Sequence, residues 1–167
     1  MTFRVAALND SHDLTTFRSG SLQLDQWLRD HSRLVMAQGT RTYVLLDVQD
    51  AVAGYFAIVP HVLQRGDAPK KLARGAPRQI PAILLAKLAL GAHLHGQGLG
   101  AELLVRALST IIEAARVAGG KLIVVDAIDN GAAAFYRHHD FEPLPNRPDR
   151  LVMKLSTAAR ALGVDWP

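Results

Sequence analysis

The stretch His95-Gly96-Gln97-Gly98-Leu99-Gly100 decides how this chain is interpreted. It comes after an apolar run over 83–90 and precedes a pattern of helical period that begins near Leu99. Three glycines at every second position leave the backbone bare where the helix begins. Unhindered N–H groups at the positive end of a helix dipole can bind a pyrophosphate. The stretch therefore predicts a phosphate-bearing cofactor.

The composition is that of a globular domain. The 167 residues are enough to build one core, and 49% of them are hydrophobic against 20% charged. No apolar run is long enough to span a membrane, and the first residues lack the basic head and apolar core of a signal peptide, so we expect a cytoplasmic protein without membrane contact. Cysteine is absent, which excludes disulfides and thiolate chemistry. The neighbouring histidines lack the spacing of a helical metal site, and we predict no metal.

Positive charge is concentrated in one segment. The formal net charge is +4, and residues 64–87 carry a single acid, Asp67, against six cations: Arg65, Lys70, Lys71, Arg74, Arg78 and Lys87. Such a patch can contact the phosphate backbone of a nucleic acid. Charge alone fits an ordinary solvated loop equally well.

Periodicity and turn residues predict alternating strands and helices. We expect a strand at 3–8, a helix over 21–38, a hairpin of 42–48 with 51–59, an exposed loop over 65–81 and a strand at 82–90. The second half predicts a helix over 98–118, a strand at 122–127, a helix over 130–138, closing strands at 141–144 and 151–155 around a loop at 145–148, and a helical or loose tail over 156–167.

The order of elements along the chain argues against a dinucleotide-binding domain. Gly96-x-Gly98-x-x-Ala101 matches the relaxed fingerprint, and Asp126 ends the next strand. In such a domain the fingerprint opens the fold, and further strand–helix units come after it. Here the probable hairpin comes first, and residues 127–167 hold one short helix and two strands. A P-loop is excluded because the glycines lack a Gly-Lys-Ser/Thr sequence after them.

Two clusters together resemble the GNAT superfamily of N-acetyltransferases. The stretch from His95 to Gly100, which we call the glycine loop, is similar to the Gln/Arg-x-x-Gly-x-Gly/Ala acyl-CoA signature. His95 occupies the first position of that signature. The family's second motif is similar to a segment of this chain that runs from Asp129-Asn130 through Ala133 and Phe135-Tyr136 to Phe141. Asp140 lies where that motif usually has glycine. The resemblance implies one GNAT domain over 1–167 of the α/β (α+β) class. Its mixed, mostly antiparallel, twisted sheet would have about six to seven strands flanked by about four helices.

Four further stretches resemble one subgroup, the GNAT toxins of bacterial toxin–antitoxin pairs. They are 17–28, 39–44, 54–57 and 81–89. The resemblance implies acetylation, with acetyl-CoA, of the α-amine on aminoacyl-tRNA, which blocks translation. It also implies an antitoxin partner, commonly of the ribbon-helix-helix type, and a homodimer.

The resemblance also implies roles for particular residues. Main-chain groups of 88–90 could pair with the pantetheine arm like an added strand, and Gln97 to Ala101 would hold the pyrophosphate. Tyr136 is the candidate general acid, although a core aromatic beside Phe135 fits the pattern too. Asn130 is expected to contact the cofactor arm or to cap its helix. The complete expected cofactor set is Leu88, Ala89, Leu90, His95, Gly96, Gln97, Gly98, Leu99, Gly100, Ala101, Asn130, Ala133 and Phe135.

The acceptor is indicated by a missing base. The predicted strand 82–90 carries no carboxylate, whereas an α-amine with a pKa near 7.7–8.0 is substantially neutral without one. This favours charged tRNA, and the expected RNA contacts are Arg33, Arg41, Arg78 and Lys87. An ordinary GNAT enzyme that acetylates a small amine or a protein N-terminus stays open, as does a non-catalytic module that binds acyl-CoA or tRNA.

Overall fold

Seven strands and five α-helices alternate along residues 2–167, the part of the chain that the computed structural model describes. The first half contains β1 (Arg4–Ala7), α1 (Leu22–Asp30), β2 (Arg41–Leu46), β3 (Val52–Gln64), α2 (Lys70–Ala73) and β4 (Gln79–Leu90). The second half contains α3 (Leu99–Ala118), β5 (Leu122–Asp126), α4 (Asn130–His138), β6 (Glu142–Leu144), β7 (Arg147–Lys154) and α5 (Leu155–Ala161). Within the described residues, no helix combines the length and the apolar character that a bilayer span requires.

The strands form one sheet in the order β1-β2-β3-β4-β5-β7-β6. The β4–β5 pair is parallel, with Ala82 opposite Leu122 and Leu85 opposite Val125. The pairs β1–β2, β2–β3, β5–β7 and β6–β7 are antiparallel. Parallel strands need a crossover, which α3 provides between β4 and β5. The predicted fold class, a mixed and mostly antiparallel sheet with helices, is confirmed.

The chain divides into two compact units. The first consists of the chain up to Val59 and Ala86–Ala107, and the second of Pro60–Leu85 and Leu108–Pro167. The core of the first unit is built from buried side chains of β2, β3 and α1, among them Leu28, Val44 and Tyr55. The core of the second joins β4, β5 and β7 through Ile80, Leu122, Val124 and Val152.

Several predicted boundaries were wrong. The strand expected over 51–59 continues to Gln64. The helix expected over 21–38 ends at Asp30, because the Ser32 hydroxyl and the amides of His31 and Ser32 bond back to the last turn of α1. Only a 3₁₀ turn over Leu34–Gln38 comes next. The expected loop 65–81 contains α2, and β4 begins at Gln79. The last strand begins at Arg147, since cross-strand pairing stabilises polar residues that have little strand propensity of their own.

Candidate active site

The glycine loop connects β4 to α3 in the first unit. A 3₁₀ turn over Ala92–Leu94 comes after β4, and α3 begins at Leu99. Gly96 and Gly98 have φ angles of +78° and +77°, a left-handed conformation that costs glycine no steric strain. A Cβ atom at either position would meet nothing within 4 Å. Glycine is therefore required by the backbone conformation, and the loop keeps exposed amides at a helix N-terminus, which suits a pyrophosphate.

His95 shapes this loop through its side chain. Its Nε2 atom lies 2.9 Å from the carbonyl oxygen of Leu90, the last residue of β4. A carbonyl only accepts, so Nε2 carries the hydrogen. Leu88, Ala89 and Leu90 lie on β4 beyond the register with β5, which runs from Ala82 to Leu85. The bond thus joins the loop to the strand end that the sequence predicts to meet the pantetheine arm.

The second cluster lies on α4, in the second unit. The Asp129 carboxylate caps the helix by accepting from the Ala132 amide at 2.8 Å. The alternative that Asn130 is the cap was therefore wrong, and the Asn130 side chain is exposed on the first helical residue. Ala133 is buried and Phe135 is half-buried on the same helix.

Tyr136 is buried, with 6% of its surface exposed. Its ring packs edge-on against Phe135 and Phe141, with centroid distances of 5.5 and 5.6 Å. Burial, and then the negative charge of Asp126, raise the pKa of Tyr136 above its ordinary value of 10.0. The phenol therefore carries its proton at cellular pH, as a general acid must. Asp140, at the position where the family usually has glycine, has a φ of +71°.

No family model matches the chain. A tRNA-acetylating toxin of Mycobacterium tuberculosis is 33% identical over 156 residues, which cover 93% of this chain and 94% of the relative. The chain belongs to the tRNA-acetylating family of GNAT toxins. A probable toxin TacT of Sinorhizobium fredii is 28% identical over 163 residues, 91% of this chain and 90% of the relative. The predicted family and the N-acetyltransferase class are confirmed.

Solved structures of other GNAT toxins have the same fold. AtaT in complex with acetyl-methionyl-tRNAfMet is 25% identical, with a TM-score of 0.86 over 96% of this chain and 99% of that one. A tyrosine-to-phenylalanine variant of KacT is 25% identical, with a TM-score of 0.87 over 96% and 99%. AtaTR bound with acetyl-CoA is 25% identical, with a TM-score of 0.80 over 96% and 98%.

Sequence reasoning missed an ion-pair network in the second unit of this GNAT toxin. Arg150 on β7 forms a bidentate salt bridge with Asp126 at the end of β5. Its Nε donates to Oδ1 at 2.7 Å, and its Nη2 donates to Oδ2 at 2.8 Å. The Nη1 atom of Arg150 also lies 3.2 Å from Nε2 of His61. Only the β5–β7 register, in which Asp126 pairs with Arg150, could have indicated the contact.

Burial and the charge of Arg150 determine the charge states of Asp126 and His61. Burial would raise the pKa of Asp126, but the hydrogen bonds and charge of Arg150 outweigh it, and the pKa lies below the ordinary 3.8. Burial and then the charge of Arg150 lower the pKa of His61 below 6.5. The Asp126 carboxylate is thus ionised but occupied by the guanidinium, and the half-buried His61 is neutral at pH 7.

The four expected RNA contacts differ in how their side chains are engaged. Arg33 donates to the carbonyl oxygens of Asn9 at 3.1 Å and His12 at 2.6 Å. The amine of Lys87 lies 5.5 Å from the centroid of the Trp27 ring, a cation–π contact. Arg41 is exposed and donates to the Met36 carbonyl at 3.1 Å, and Arg78 is exposed just before β4. Among residues 2–167 no cluster of histidine and carboxylate side chains could hold a metal ion.

Proposed function

We propose that this GNAT toxin transfers the acetyl group of acetyl-CoA to the α-amine of an aminoacyl-tRNA and so blocks translation. Its relative from M. tuberculosis is named a tRNA-acetylating toxin, and AtaT is seen with acetyl-methionyl-tRNAfMet. The observation that carries the proposal is Tyr136, a buried tyrosine that keeps its proton, on the helix that bears the family's second motif.

The glycine loop fits the cofactor. Acetyl-CoA supplies an activated acetyl group as a thioester when it is bound. The open amides between Gln97 and Ala101, shaped by the left-handed Gly98, would hold its pyrophosphate. His95 fixes the loop against Leu90, and main-chain groups of 88–90 would bind the pantetheine arm. Asn130, exposed at the start of α4, would contact the same arm.

Proton transfer is assigned to Tyr136 on the leaving-group side. The lone pair of the amine nitrogen would form a bond to the carbonyl carbon, the carbon–sulfur bond would break, and the sulfur would take the proton from Oη of Tyr136. The nitrogen, positively charged after the attack, would release one proton to solvent, and Tyr136 would regain one from solvent. Because the attack needs the lone pair, the acceptor must arrive without its extra proton. Strand β4 has no carboxylate to remove one, which suits an α-amine whose pKa is near 7.7–8.0.

The family also suggests partners and place of action. We propose an antitoxin of the ribbon-helix-helix type, a homodimer, and action in the cytoplasm, where charged tRNA is found. AtaT and KacT are each seen with their antitoxin partners. Residues 1–167 would act as one acetyltransferase domain, with RNA contacts drawn from Arg41, Arg78 and Lys87, because the Arg33 guanidinium is already bonded to backbone carbonyls.

The test is to mix the purified protein and radiolabelled acetyl-CoA with a pool of charged tRNA. Uncharged tRNA and free amino acids serve as controls, and the Tyr136→Phe protein is the matched inactive enzyme. We expect label on charged tRNA alone, with the isoacceptor read from the labelled species. Label on free amines, or no label from protein that binds acetyl-CoA, would overturn the proposal.

A further inference from the structure

We propose that the second unit contains a binding site for a nucleotide phosphate, separate from the glycine loop. The site is a cavity of about 250 Å³. Three cations, Arg74, Lys121 and Lys154, line it together with Trp166. The apolar side chains of Ile80 and Leu122 are also part of the wall. We refer to it as the cationic cavity.

The charge around the cationic cavity is uncompensated. None of the described residues that line it has an acidic side chain. Within residues 2–167, no carboxylate forms an ion pair with Arg74, Lys121 or Lys154. An anion bound in the cavity would be attracted by all three of these charges. A phosphate is the anion that such ammonium and guanidinium groups bind best.

The backbone fixes two of these cations side by side. Lys121 donates its amide to the Pro81 carbonyl at 2.8 Å, and its own carbonyl accepts from Leu155 at 2.9 Å. Lys154 lies opposite Leu122 in the β5–β7 register, one residue from Lys121. The third, Arg74, ends the short helix α2. Lys154 is therefore presented by the end of β7, and Lys121 by a bend just before β5 whose main chain is bonded to Pro81 and Leu155.

The indole indicates what the phosphate is attached to. Trp166 is half-buried at the cavity, and the tail is held to α5 by a bond from the Val164 amide to the Ala159 carbonyl. An aromatic side chain beside cations is the arrangement with which proteins bind single nucleotides, the base stacking and the phosphate paired. Ile80 and Leu122 are only 1% and 2% exposed, so the indole is the surface on which a base would stack.

A neighbouring cavity of about 590 Å³ lacks this selectivity. It shares Leu72 and Lys154 with the cationic cavity but includes Asp140 and Glu142. Glu142 already pairs with Lys71 at 2.9 Å. The neighbouring cavity has three cations, Lys71, Arg137 and Lys154, against these two acids, so its positive charge is smaller and we expect anions to prefer the cationic cavity.

The position of the cationic cavity separates it from the acetyl-transfer residues of its own unit. Ile80 and Leu122 lie at the amino ends of the parallel strands β4 and β5. Asp126 ends β5, and the helix that carries Tyr136 comes after it. The length of β5 places about 13 Å between the two ends, at roughly 3.3 Å per residue. A ligand in the cationic cavity therefore lies away from the end of β5 that leads to the helix of Tyr136.

Such a nucleotide could be free or part of an RNA chain. The RNA source would deepen the proposed function and rests on it, whereas binding of a free mononucleotide does not. Titrations followed by tryptophan fluorescence can compare these two sources. The chain has two tryptophans, Trp27 and Trp166. In a Trp27→Phe protein only Trp166 reports. CoA is left out of the titration, because its adenine nucleotide would compete with AMP for the cationic cavity.

The experiment titrates this protein with AMP, with a short single-stranded oligoribonucleotide, with inorganic phosphate and with an acidic peptide. We expect saturable quenching by AMP or by the oligoribonucleotide, and at least about tenfold weaker binding in Lys121→Ala and Lys154→Ala. Lys70→Ala and Arg160→Ala are matched controls, since these exposed cations do not line the cavity, and they should bind as the parent does. Tighter binding of the oligoribonucleotide than of AMP would assign the RNA source.

Several results would overturn the site. They are the absence of quenching, equal affinities in the cavity and control variants, and an acidic peptide that binds more tightly than either nucleotide. Thermal unfolding of each variant checks that exposed-lysine substitutions leave the fold intact. Because no acetyl transfer is measured, failure of the labelling assay with charged tRNA would leave this result unaffected, and the two proposals fail independently.

Discussion

Asp126 and Arg150 face each other across β5 and β7 and share two hydrogen bonds, of 2.7 and 2.8 Å. Only 16% of the Arg150 side chain and 33% of the Asp126 side chain is exposed. Replacing Arg150 alone leaves a half-buried carboxylate without its partner. We expect Arg150→Met to lower the free energy of unfolding by about 1–3 kcal/mol, and Asp126→Asn together with Arg150→Met to restore part of it.

The same pair should depend on pH in a defined direction. The pKa of Asp126 is below its ordinary 3.8 in the folded protein, so its stabilisation is complete above that pH and is lost as the pH falls through the lower, folded value. Denaturant unfolding of the Arg150→Met variant and the parent at pH 7 and near pH 3 measures this. An equal difference at both pH values would contradict the assignment.

His61 should make the protein less stable in mildly acidic solution. Its folded pKa is lowered by burial and by Arg150. The unfolded chain therefore takes up a proton near pH 6.5 while the folded chain resists it, and stability falls as the pH drops below 6.5. We expect the unfolding free energy of His61→Gln to change less between pH 7 and pH 5 than that of the parent. Parallel pH profiles would show that His61 is not the group concerned.

Tyr136→Phe should remove catalysis but spare binding. Loss of a general acid typically slows a reaction by about 10²–10⁴-fold. The ring keeps its contacts with Phe135 and Phe141, so thermal stability and acetyl-CoA affinity should change little. Single-turnover acetyl transfer and calorimetric titration measure the two effects. Transfer at the parental rate would exclude the general-acid role.

Gly98→Ala should weaken acetyl-CoA binding without any steric clash. A Cβ atom there meets nothing within 4 Å, but the φ of +77° is strained for alanine by about 1–2 kcal/mol. In the free protein the exposed loop can relax, so the strain should appear as a loss of affinity of up to about 5–30-fold. Gly66→Ala is the matched control, because Gly66 is equally open and its φ is not positive. Unchanged affinity in Gly98→Ala would contradict the assigned role of the loop.

Substitutions of Arg41 and Arg33 should have different effects, the first on RNA binding and the second on stability. Arg41 is exposed, and Arg41→Ala should weaken tRNA binding and reduce the dependence of log K on log salt by about one unit. Arg33 is bonded to the carbonyls of Asn9 and His12, so Arg33→Ala should lower the melting temperature instead. Filter binding over a salt series measures the first effect, and thermal denaturation measures the second. Identical salt slopes for the parent and Arg41→Ala would remove Arg41 from the RNA surface.

The sequence predicts the parts of this protein that local patterns determine. The glycine spacing and the apolar period of α3 identify the loop and its helix, and the Phe135-Tyr136 pair marks α4. The network around Arg150 is different, because His61, Asp126 and Arg150 meet through strand register, which no local pattern encodes. The end of α1 also depends on a single serine that bonds back to Leu28. The start of β7 is set by its neighbours rather than by its own residues.

The division of the chain into compact units has a consequence for fragments of the protein. Each unit is assembled from two separate segments, and the segments alternate along the chain. Any single break in the chain between Pro60 and Ala107 therefore divides both units, because each loses part of its residues to the other fragment. A prematurely terminated or nicked product in that range retains neither unit whole, and neither can be expressed as one uninterrupted piece of the gene.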